Sequence, residues 1–158
     1  MPIAIKDSTI DITSEKLTKE LAKEFTKYLK GGEFVFLYGE MGVGKTTFVK
    51  YFINEYQKIN NLTQTEITSP TFSLLNEYQV KDIRIKHYDL FRINRKEDIN
   101  NLDIFEKDNK LITLIEWPQL IADKQDIKFI TLTFNYLNQL NDRTCLLYTS
   151  DAADDNVG

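Results

Sequence analysis

A glycine-rich loop between a strand and a helix constrains this chain more than any other stretch. Residues 34–38, FVFLY, form an apolar run typical of a buried strand, and a helical pattern begins near Gly44 and Lys45. The loop fits G-x-x-x-x-G-K-[ST], with Gly39, Gly44, Lys45 and Thr46 in the fixed positions. Glycines let successive backbone N–H groups wrap around one phosphate, and the following helix adds unpaired N–H groups and its positive dipole end. The sequence therefore predicts a nucleotide-phosphate site.

Two side chains of this loop have predicted roles beyond wrapping the phosphate. The Lys45 ammonium is expected to reach the β- and γ-phosphates. The Thr46 hydroxyl is expected to bind Mg²⁺.

Two carboxylates each follow an apolar strand. Asp89 follows the strand predicted over residues 82–88, and Glu116 follows the continuous apolar run KLITLI at residues 110–115. Carboxylates at the carboxyl ends of sheet strands serve nucleotide sites as metal ligands or by positioning water. The run before Glu116 has the usual form of a Walker B strand, with a cap or a surface ion pair as the alternative. The spacing does not decide which carboxylate binds metal and which orients water.

Thr71 and His87 each admit a structural and a functional interpretation. Thr71 lies in a loop after Ser69-Pro70, where many nucleotide switches contact the γ-phosphate or its metal. The alternative is a turn hydroxyl that bonds its own backbone. His87 is the chain's one histidine and lies on the apolar phase of its strand, which favours a satisfied core histidine over a catalytic one.

The pattern of elements predicts an α/β fold. The strands at 74–80 and 83–88 need only the hairpin Lys81-Asp82 between them and are therefore expected to be antiparallel. We expect a P-loop NTPase-like three-layer sandwich with a mainly parallel central sheet and antiparallel edge strands. The other predicted elements are a strand at 8–12, a helix capped by Thr13 or Ser14 and ended by Gly31-Gly32, the phosphate-loop helix at 45–58, a short helix at 94–102, a strand at 127–134 and a last strand carrying Arg143.

Length and composition set limits on the class of protein. With 158 residues, 42% of them hydrophobic, the chain suits one domain with one sizeable core. Its one cysteine, Cys145, excludes a disulfide framework and a thiolate metal site within the chain. The first ten residues lack a basic n-region and an apolar h-region, and no apolar run is long enough to cross a bilayer. We therefore expect a cytoplasmic protein without a membrane partner.

The last residues of the chain, CLLYTSDAADDNVG, resemble the in-frame translation of a transposon-derived sequencing-library adapter. We predict a single P-loop ATPase domain at residues 1–144 and a non-native tail at 145–158, with a natural acidic tail as the alternative. Without the three aspartates of that tail, the net charge changes from −4 to −1. A near-neutral domain is not a nucleic-acid binder of the basic-patch kind. We therefore expect no DNA partner, and any RNA to be held by a partner protein.

Four motifs in this order and spacing resemble the TsaE (YjeE) family: GEMGVGKTTFVK, SPTF, HYDLFR and IEWP. The resemblance covers residues 5–144 and implies the small bacterial ATPase of the tRNA threonylcarbamoyladenosine pathway. It implies ATP and Mg²⁺ as cofactors and TsaB and TsaD as partners. Those partners transfer the threonylcarbamoyl group to N6 of adenosine 37 in ANN-decoding tRNAs, while ATP hydrolysis by the family member supports repeated turnover.

The resemblance also implies roles for individual residues. Thr46 and Glu116 would bind Mg²⁺, and Thr71 would belong to a switch loop. Asp89 would be a catalytic or water-positioning carboxylate, acting with Lys45 and Thr71. The residues implied to bind the nucleotide are Glu40, Met41, Gly42, Val43, Gly44, Lys45, Thr46, Thr47 and Trp117. Arg143 falls in a C-terminal segment that the resemblance places near the site.

Three other classes of protein also carry a phosphate loop: kinases, regulatory GTPases and non-hydrolysing assembly factors. A small-molecule or nucleoside kinase usually carries an arginine-rich lid, and the candidate lid at 91–101 has Arg92 and Arg95 without a second cluster. A regulatory GTPase should show an N-K-x-D segment, which this chain lacks. A non-hydrolysing ATP-dependent assembly factor is separated from an ATPase only by kinetics. No arginine finger is evident, so we predict weak hydrolysis by the chain alone, raised by its partners.

Overall fold

A seven-stranded mixed sheet organises the part of the chain described by the computed structural model, which covers residues 8–121, 127, 129–137 and 142–149. The strands are β1 (Ser8–Asp11), β2 (Phe34–Tyr38), β3 (Leu75–Val80), β4 (Ile83–Asp89), β5 (Leu111–Glu116), β6 (Phe129–Leu137) and β7 (Asp142–Thr149). They lie in the order β1-β7-β6-β2-β5-β4-β3. The pairs β6-β2, β2-β5 and β5-β4 are parallel, whereas β3, β7 and β1 join antiparallel at the two sides. The predicted mainly parallel sheet with antiparallel edges is confirmed.

Two α-helices, α1 (Glu15–Tyr28) and α2 (Lys45–Ile59), pack against one face of this sheet. The hydroxyl of Ser14 accepts an amide N–H of the first turn of α1 at 3.2 Å, so Ser14 is the N-cap. The rings of Phe25 in α1 and Phe48 in α2 meet edge to face with centroids 5.5 Å apart. Neither described helix is long and apolar enough to cross a membrane.

Alternate residues of β2 enter two separate hydrophobic cores. Val35 and Leu37 pack with the two α-helices, while Phe34 and Phe36 pack on the opposite face. Because β2 is buried on both faces, it reads as an uninterrupted apolar run in the sequence. The layer on the opposite face contains the three short 3₁₀-helices of the described chain: Lys96–Asp98, Asn100–Leu102 and Pro118–Leu120.

The prediction of a short helix at 94–102 is wrong in kind, because two consecutive 3₁₀-helices form there instead. The carbonyl groups at the end of this segment bond a side chain of the sheet. The Tyr88 hydroxyl donates to the carbonyl of Leu102 at 2.6 Å and lies 3.3 Å from that of Asp103. Asp103 adopts a left-handed conformation, with φ of 50°, which ends the segment.

The predicted domain boundary at residue 144 lies inside β7. In that strand, the side chains of Cys145 and Leu147 are buried, and β7 pairs with both β1 and β6. Residues 150–158, most of the segment predicted to be a non-native tail, lie outside the described residues. The origin of the tail stays a prediction.

Candidate nucleotide-binding site

The register of the parallel strands brings the two strand-end carboxylates together. Asp89 is the last residue of β4, Glu116 is the last residue of β5, and the two are partners in the ladder. On its other side, Glu116 pairs with Leu37 of β2, one residue before the end of the strand that leads into the glycine loop. Both carboxylates are buried. They therefore lie beside the loop at the carboxyl edge of the sheet, as ligand sites in such folds do.

The loop backbone depends on glycine where the chain turns. The φ angles of Gly39, Gly42 and Gly44 are 145°, 83° and 121°, a region that L side chains rarely adopt. A Cβ at Gly39 would also lie 2.8 Å from the carbonyl oxygen of Phe134 in β6. Gly44 is the N-cap of α2 and leaves the N–H groups of the first helical turn without intrahelical acceptors. This geometry suits an anion at the helix N-terminus.

Lys45 is held inside the site. Its ammonium donates a hydrogen bond to the carbonyl of Gly39 and lies 3.6 Å from the centroid of the Trp117 ring. Burial lowers the pKa of Lys45, while the negative charges of Glu116 and Asp89 act in the opposite direction. Lys45 therefore occupies a partly desolvated position, where a phosphate would be a strong partner for its ammonium.

The Thr46 hydroxyl and the Glu116 carboxylate are in direct contact. The Thr46 hydroxyl lies 3.0 Å from Oε1 and 2.9 Å from Oε2 of Glu116. Within the described ranges, no group of three or more His, Cys, Asp and Glu side chains is placed to hold a metal. Mg²⁺ commonly takes only one or two protein oxygens and completes its shell with water and substrate phosphates. The hard oxygens of Thr46 and Glu116 therefore fit Mg²⁺ and do not resemble an all-protein cage.

Sequence reasoning missed the connection of His87 to this site. The imidazole is fully buried, as expected for a core residue, yet its Nε2 lies 2.7 Å from Oε2 of Glu116. His87 pairs with Leu114 in the ladder, so Glu116, two residues farther on, is its diagonal neighbour on the same face. That register was the signal that could have revealed the contact.

Thr71 reaches the site through Asp89. Its hydroxyl lies 2.7 Å from that of Ser69 and 3.5 Å from Oδ2 of Asp89, so its observed partners are side chains. The amide of Phe91 donates to Oδ1 of Asp89 at 3.0 Å. Burial raises the pKa of Asp89, and the nearby Glu116 charge adds to this, although the Phe91 hydrogen bond opposes it.

A cleft of about 290 Å³ collects most of the predicted site residues. It is lined by Met41, Gly42, Gly44, Lys45, Thr46, Thr47, Ser69, Thr71, Asp89, Phe91, Glu116 and Trp117. Two predicted residues do not line it. The side chain of Val43 is buried in the core against the α-helices, and Glu40 is exposed on the loop, where its carbonyl accepts the Val43 amide at 3.2 Å. Their roles stay predictions.

The arginines of the candidate lid have partners outside the cleft. The Arg92 guanidinium lies 4.4 Å from the centroid of the exposed Phe72 ring. Arg95 lies 3.4 Å from the carboxylate of Asp98. No arginine is among the residues that line the described cleft.

Side chains of β6 and β7 bond the backbone of the phosphate loop. Arg143 donates to the carbonyl of Val43 at 3.4 Å and to the carbonyl of Thr13 at 2.9 Å. The hydroxyl of Tyr136, which sequence reasoning missed, donates to the carbonyl of Gly42 at 3.2 Å. Both side chains therefore bond backbone oxygens of the loop, so that Arg143 lies near the site as the resemblance implied.

The sequence of this chain is similar to those of known proteins. Residues 12–145 match the family model "Threonylcarbamoyl adenosine biosynthesis protein TsaE". A "tRNA threonylcarbamoyladenosine biosynthesis protein TsaE" of Rickettsia conorii is 36% identical over 143 residues, which cover 88% of this chain and 77% of the relative. A protein of the same name in Aquifex aeolicus is 36% identical over 108 residues, which cover 68% of this chain and 74% of the relative.

A solved structure has a similar fold. The crystal structure of Bacillus subtilis YdiB superposes with a TM-score of 0.68 and covers 95% of this chain and 90% of that one. At 21% sequence identity, this likeness supports the fold alone.

Proposed function

This chain belongs to the TsaE family, which is involved in tRNA threonylcarbamoyladenosine biosynthesis, and on that premise we propose that it is a Mg²⁺-dependent ATPase acting with TsaB and TsaD. One observation carries the proposal. The Thr46 hydroxyl, at the start of the helix that follows the phosphate loop, contacts the Glu116 carboxylate at 2.9 and 3.0 Å. That pair joins the phosphate loop to the strand-end acid, which is the arrangement that metal-assisted phosphoryl transfer requires.

The proposed division of labour follows the observed contacts. The N–H groups at the start of α2 and the Lys45 ammonium bind the phosphates. Thr46 and Glu116 would hold Mg²⁺, and the bound ion would supply positive charge beside the phosphate oxygens. Asp89 contacts the loop residues Thr71 and Phe91, whereas Thr46 contacts Glu116. It therefore orients the attacking water, and the protein acts by positioning and electrostatics.

The proposal includes stimulation by partners. Transition-state charge in phosphoryl transfer is commonly stabilised by an arginine, in cis or supplied in trans. The described cleft lining includes no arginine. We therefore expect slow hydrolysis by the chain alone, faster hydrolysis with TsaB and TsaD, and contact with tRNA only through that complex.

Phosphate release tests the proposal directly. The full chain is assayed with ATP and Mg²⁺, alone and with TsaB and TsaD, as wild type and as Glu116→Gln. We expect partner-stimulated release that falls by about 100-fold or more in the variant, because the metal loses a ligand. Glu77→Gln is the matched control, since Glu77 is a half-exposed glutamate on β3 far from the cleft lining.

Two results would replace the proposal with another class. ATP binding without hydrolysis under any of these conditions would indicate a non-hydrolysing assembly factor. Transfer of the phosphoryl group to a nucleoside or another small molecule would indicate a kinase.

A further inference from the structure

The most deeply buried contact of the site joins two side chains of neighbouring strands. His87 is 0% exposed, and its Nε2 lies 2.7 Å from Oε2 of Glu116. The backbone of β4 and β5 fixes this placement, because both residues lie on the face covered by α1 and α2. The contact therefore follows from the register and does not depend on a flexible loop.

The chemistry of the two groups orients the proton between them. A carboxylate that binds a metal is ionised and only accepts hydrogen bonds, so in that state the contact at 2.7 Å needs a proton on Nε2. The other ring nitrogen, Nδ1, is buried without a hydrogen-bond partner among the described residues.

Glu116 is thus bonded differently at its two oxygens. Oε2 accepts from His87 and from Thr46, whereas Oε1 has the Thr46 hydroxyl as its side-chain partner in the described structure. The histidine therefore restricts rotation of the carboxylate about its terminal bond. Side chains that fix a metal-binding carboxylate in this way are known to affect metal affinity strongly.

We propose that His87 is a positioning residue that orients Glu116 for the metal that accompanies the nucleotide. The proposal rests on the proposed function, because it needs Glu116 to bind Mg²⁺. It goes beyond that function by assigning a role to a residue that is not among those lining the described cleft. A core histidine with a packing role alone would influence stability without altering the dependence of nucleotide binding on metal.

Calorimetric titration separates the two roles. A non-hydrolysable ATP analogue is titrated into wild type, His87→Leu and His87→Gln, with Mg²⁺ and with chelator, and the metal-dependent gain in affinity is compared. His87→Leu removes the donor, and we expect it to lose about tenfold or more of this gain. The amide of His87→Gln presents an N–H near the position of Nε2, and we expect it to keep the gain within about threefold. All three proteins should bind equally in chelator.

A control variant isolates burial from hydrogen bonding. Thr113→Val changes another buried polar side chain of β5 whose hydroxyl has no described partner, on the face away from Glu116. We expect it to leave the metal-dependent gain unchanged. Urea unfolding of each variant measures the packing contribution separately.

Nitrogen NMR of the wild-type protein tests the pairing without any variant. The chain has one histidine, so its imidazole resonances need no assignment. We expect a proton on Nε2, the nitrogen that faces Glu116. A proton on Nδ1 alone would overturn the proposal, even if His87→Leu failed to fold.

The outcomes distinguish this inference from the proposed function. A wild type without any metal-dependent gain would contradict the proposed function itself. A wild-type gain that His87→Leu retains, or that both His87 variants lose equally, would overturn the positioning role alone.

Discussion

Strand β4 carries charged side chains on both faces. The surroundings favour the charged form of the side chains on one face and disfavour it on the other. Arg84 and Lys86 point to one face and contact Glu106 at 2.5 and 2.8 Å, with Asp108 3.4 Å from Arg84. These four residues form the surface cluster, in which Lys86 is buried and the side chains of Arg84, Glu106 and Asp108 are partly exposed. His87 and Asp89 point to the other face and join Lys45 and Glu116 in the site cluster, which is buried.

The surface cluster stabilises its charges, and the site cluster does not. Lys86 and Arg84 hold the pKa of Glu106 below its ordinary value through hydrogen bonds and charge. In the site cluster, burial raises the pKa of Asp89 and lowers that of Lys45. Charges that the fold disfavours are typical of functional sites, where the ligand supplies the missing interactions. The contrast predicts that substitutions in the two clusters change stability in opposite directions.

The largest effect is expected for Asp89→Asn. Hydrolysis should fall by about 100-fold or more, because the amide cannot take the role of the carboxylate toward water. The unfolding free energy at neutral pH should stay equal or rise, since the buried charge is removed while the Phe91 amide keeps an acceptor.

The pH dependence of stability gives this prediction its sign. Because the folded-state pKa of Asp89 is raised, the folded protein binds more protons between the ordinary and the raised value. Wild-type stability should therefore fall as pH rises through that window, and Asp89→Asn should lack this fall. Urea unfolding at a series of pH values measures both, and a variant less stable than wild type at neutral pH would break the comparison.

Lys45→Met is expected to have the next largest effect. Loss of the ammonium should weaken ATP binding at least about tenfold, because a charge-assisted bond to phosphate is removed. Stability at neutral pH should not fall, since burial disfavours the cation that is removed. Calorimetry with ATP and urea unfolding are the measurements. Lys50→Met, at an exposed position of the same helix, is the control.

Glu106→Gln tests the surface cluster. Unlike the two preceding variants, it should lower the unfolding free energy. We expect a loss of about 1 kcal/mol or less in unfolding free energy, because partly exposed ion pairs are weak, and no change in ATP affinity. The lowered pKa of Glu106 contributes stability that is present above its ordinary value and is lost as pH falls through the folded-state value. The variant should lose stability less steeply in that acidic range. Equal acid sensitivity of variant and wild type would count against the ion pairs.

Asp82→Asn is expected to have the smallest effect. Asp82 lies 3.1 Å from Lys110, and this interaction lowers its pKa, yet the two side chains are 71% and 59% exposed. Solvent and salt screen such a pair, so thermal unfolding of variant and wild type should coincide within error. A measurable loss would show that exposure does not make this ion pair weak.

The parts of this site that the sequence predicts are those carried by local patterns. The glycine loop and the apolar runs before Asp89 and Glu116 are each contiguous in sequence, so the placement of both carboxylates at strand ends could be inferred, whereas the pairing of their strands is seen only in the structure. The roles of the individual residues stay predictions.

The parts that escaped prediction depend on contacts between distant segments. The bond from His87 to Glu116 requires the register of two strands, and the bond from Tyr136 to the Gly42 carbonyl joins residues 94 positions apart. The left-handed backbone conformation of Trp117 was also not predictable from the sequence. A bulky residue adopts this conformation only where tertiary contacts hold it. The prediction of a helix at 94–102 failed for a similar reason, because the Tyr88 hydroxyl of a distant strand bonds the carbonyl of Leu102 at the end of this segment.

The placement of Trp117 has an optical consequence. It is the chain's one tryptophan, and the Lys45 ammonium lies 3.6 Å from its ring centroid, while the centroid of the Phe91 ring is 4.8 Å away. An indole reports through its fluorescence on a cation that moves across its face. The molecule therefore carries an intrinsic, label-free probe at its phosphate loop, with no second tryptophan to contribute background emission.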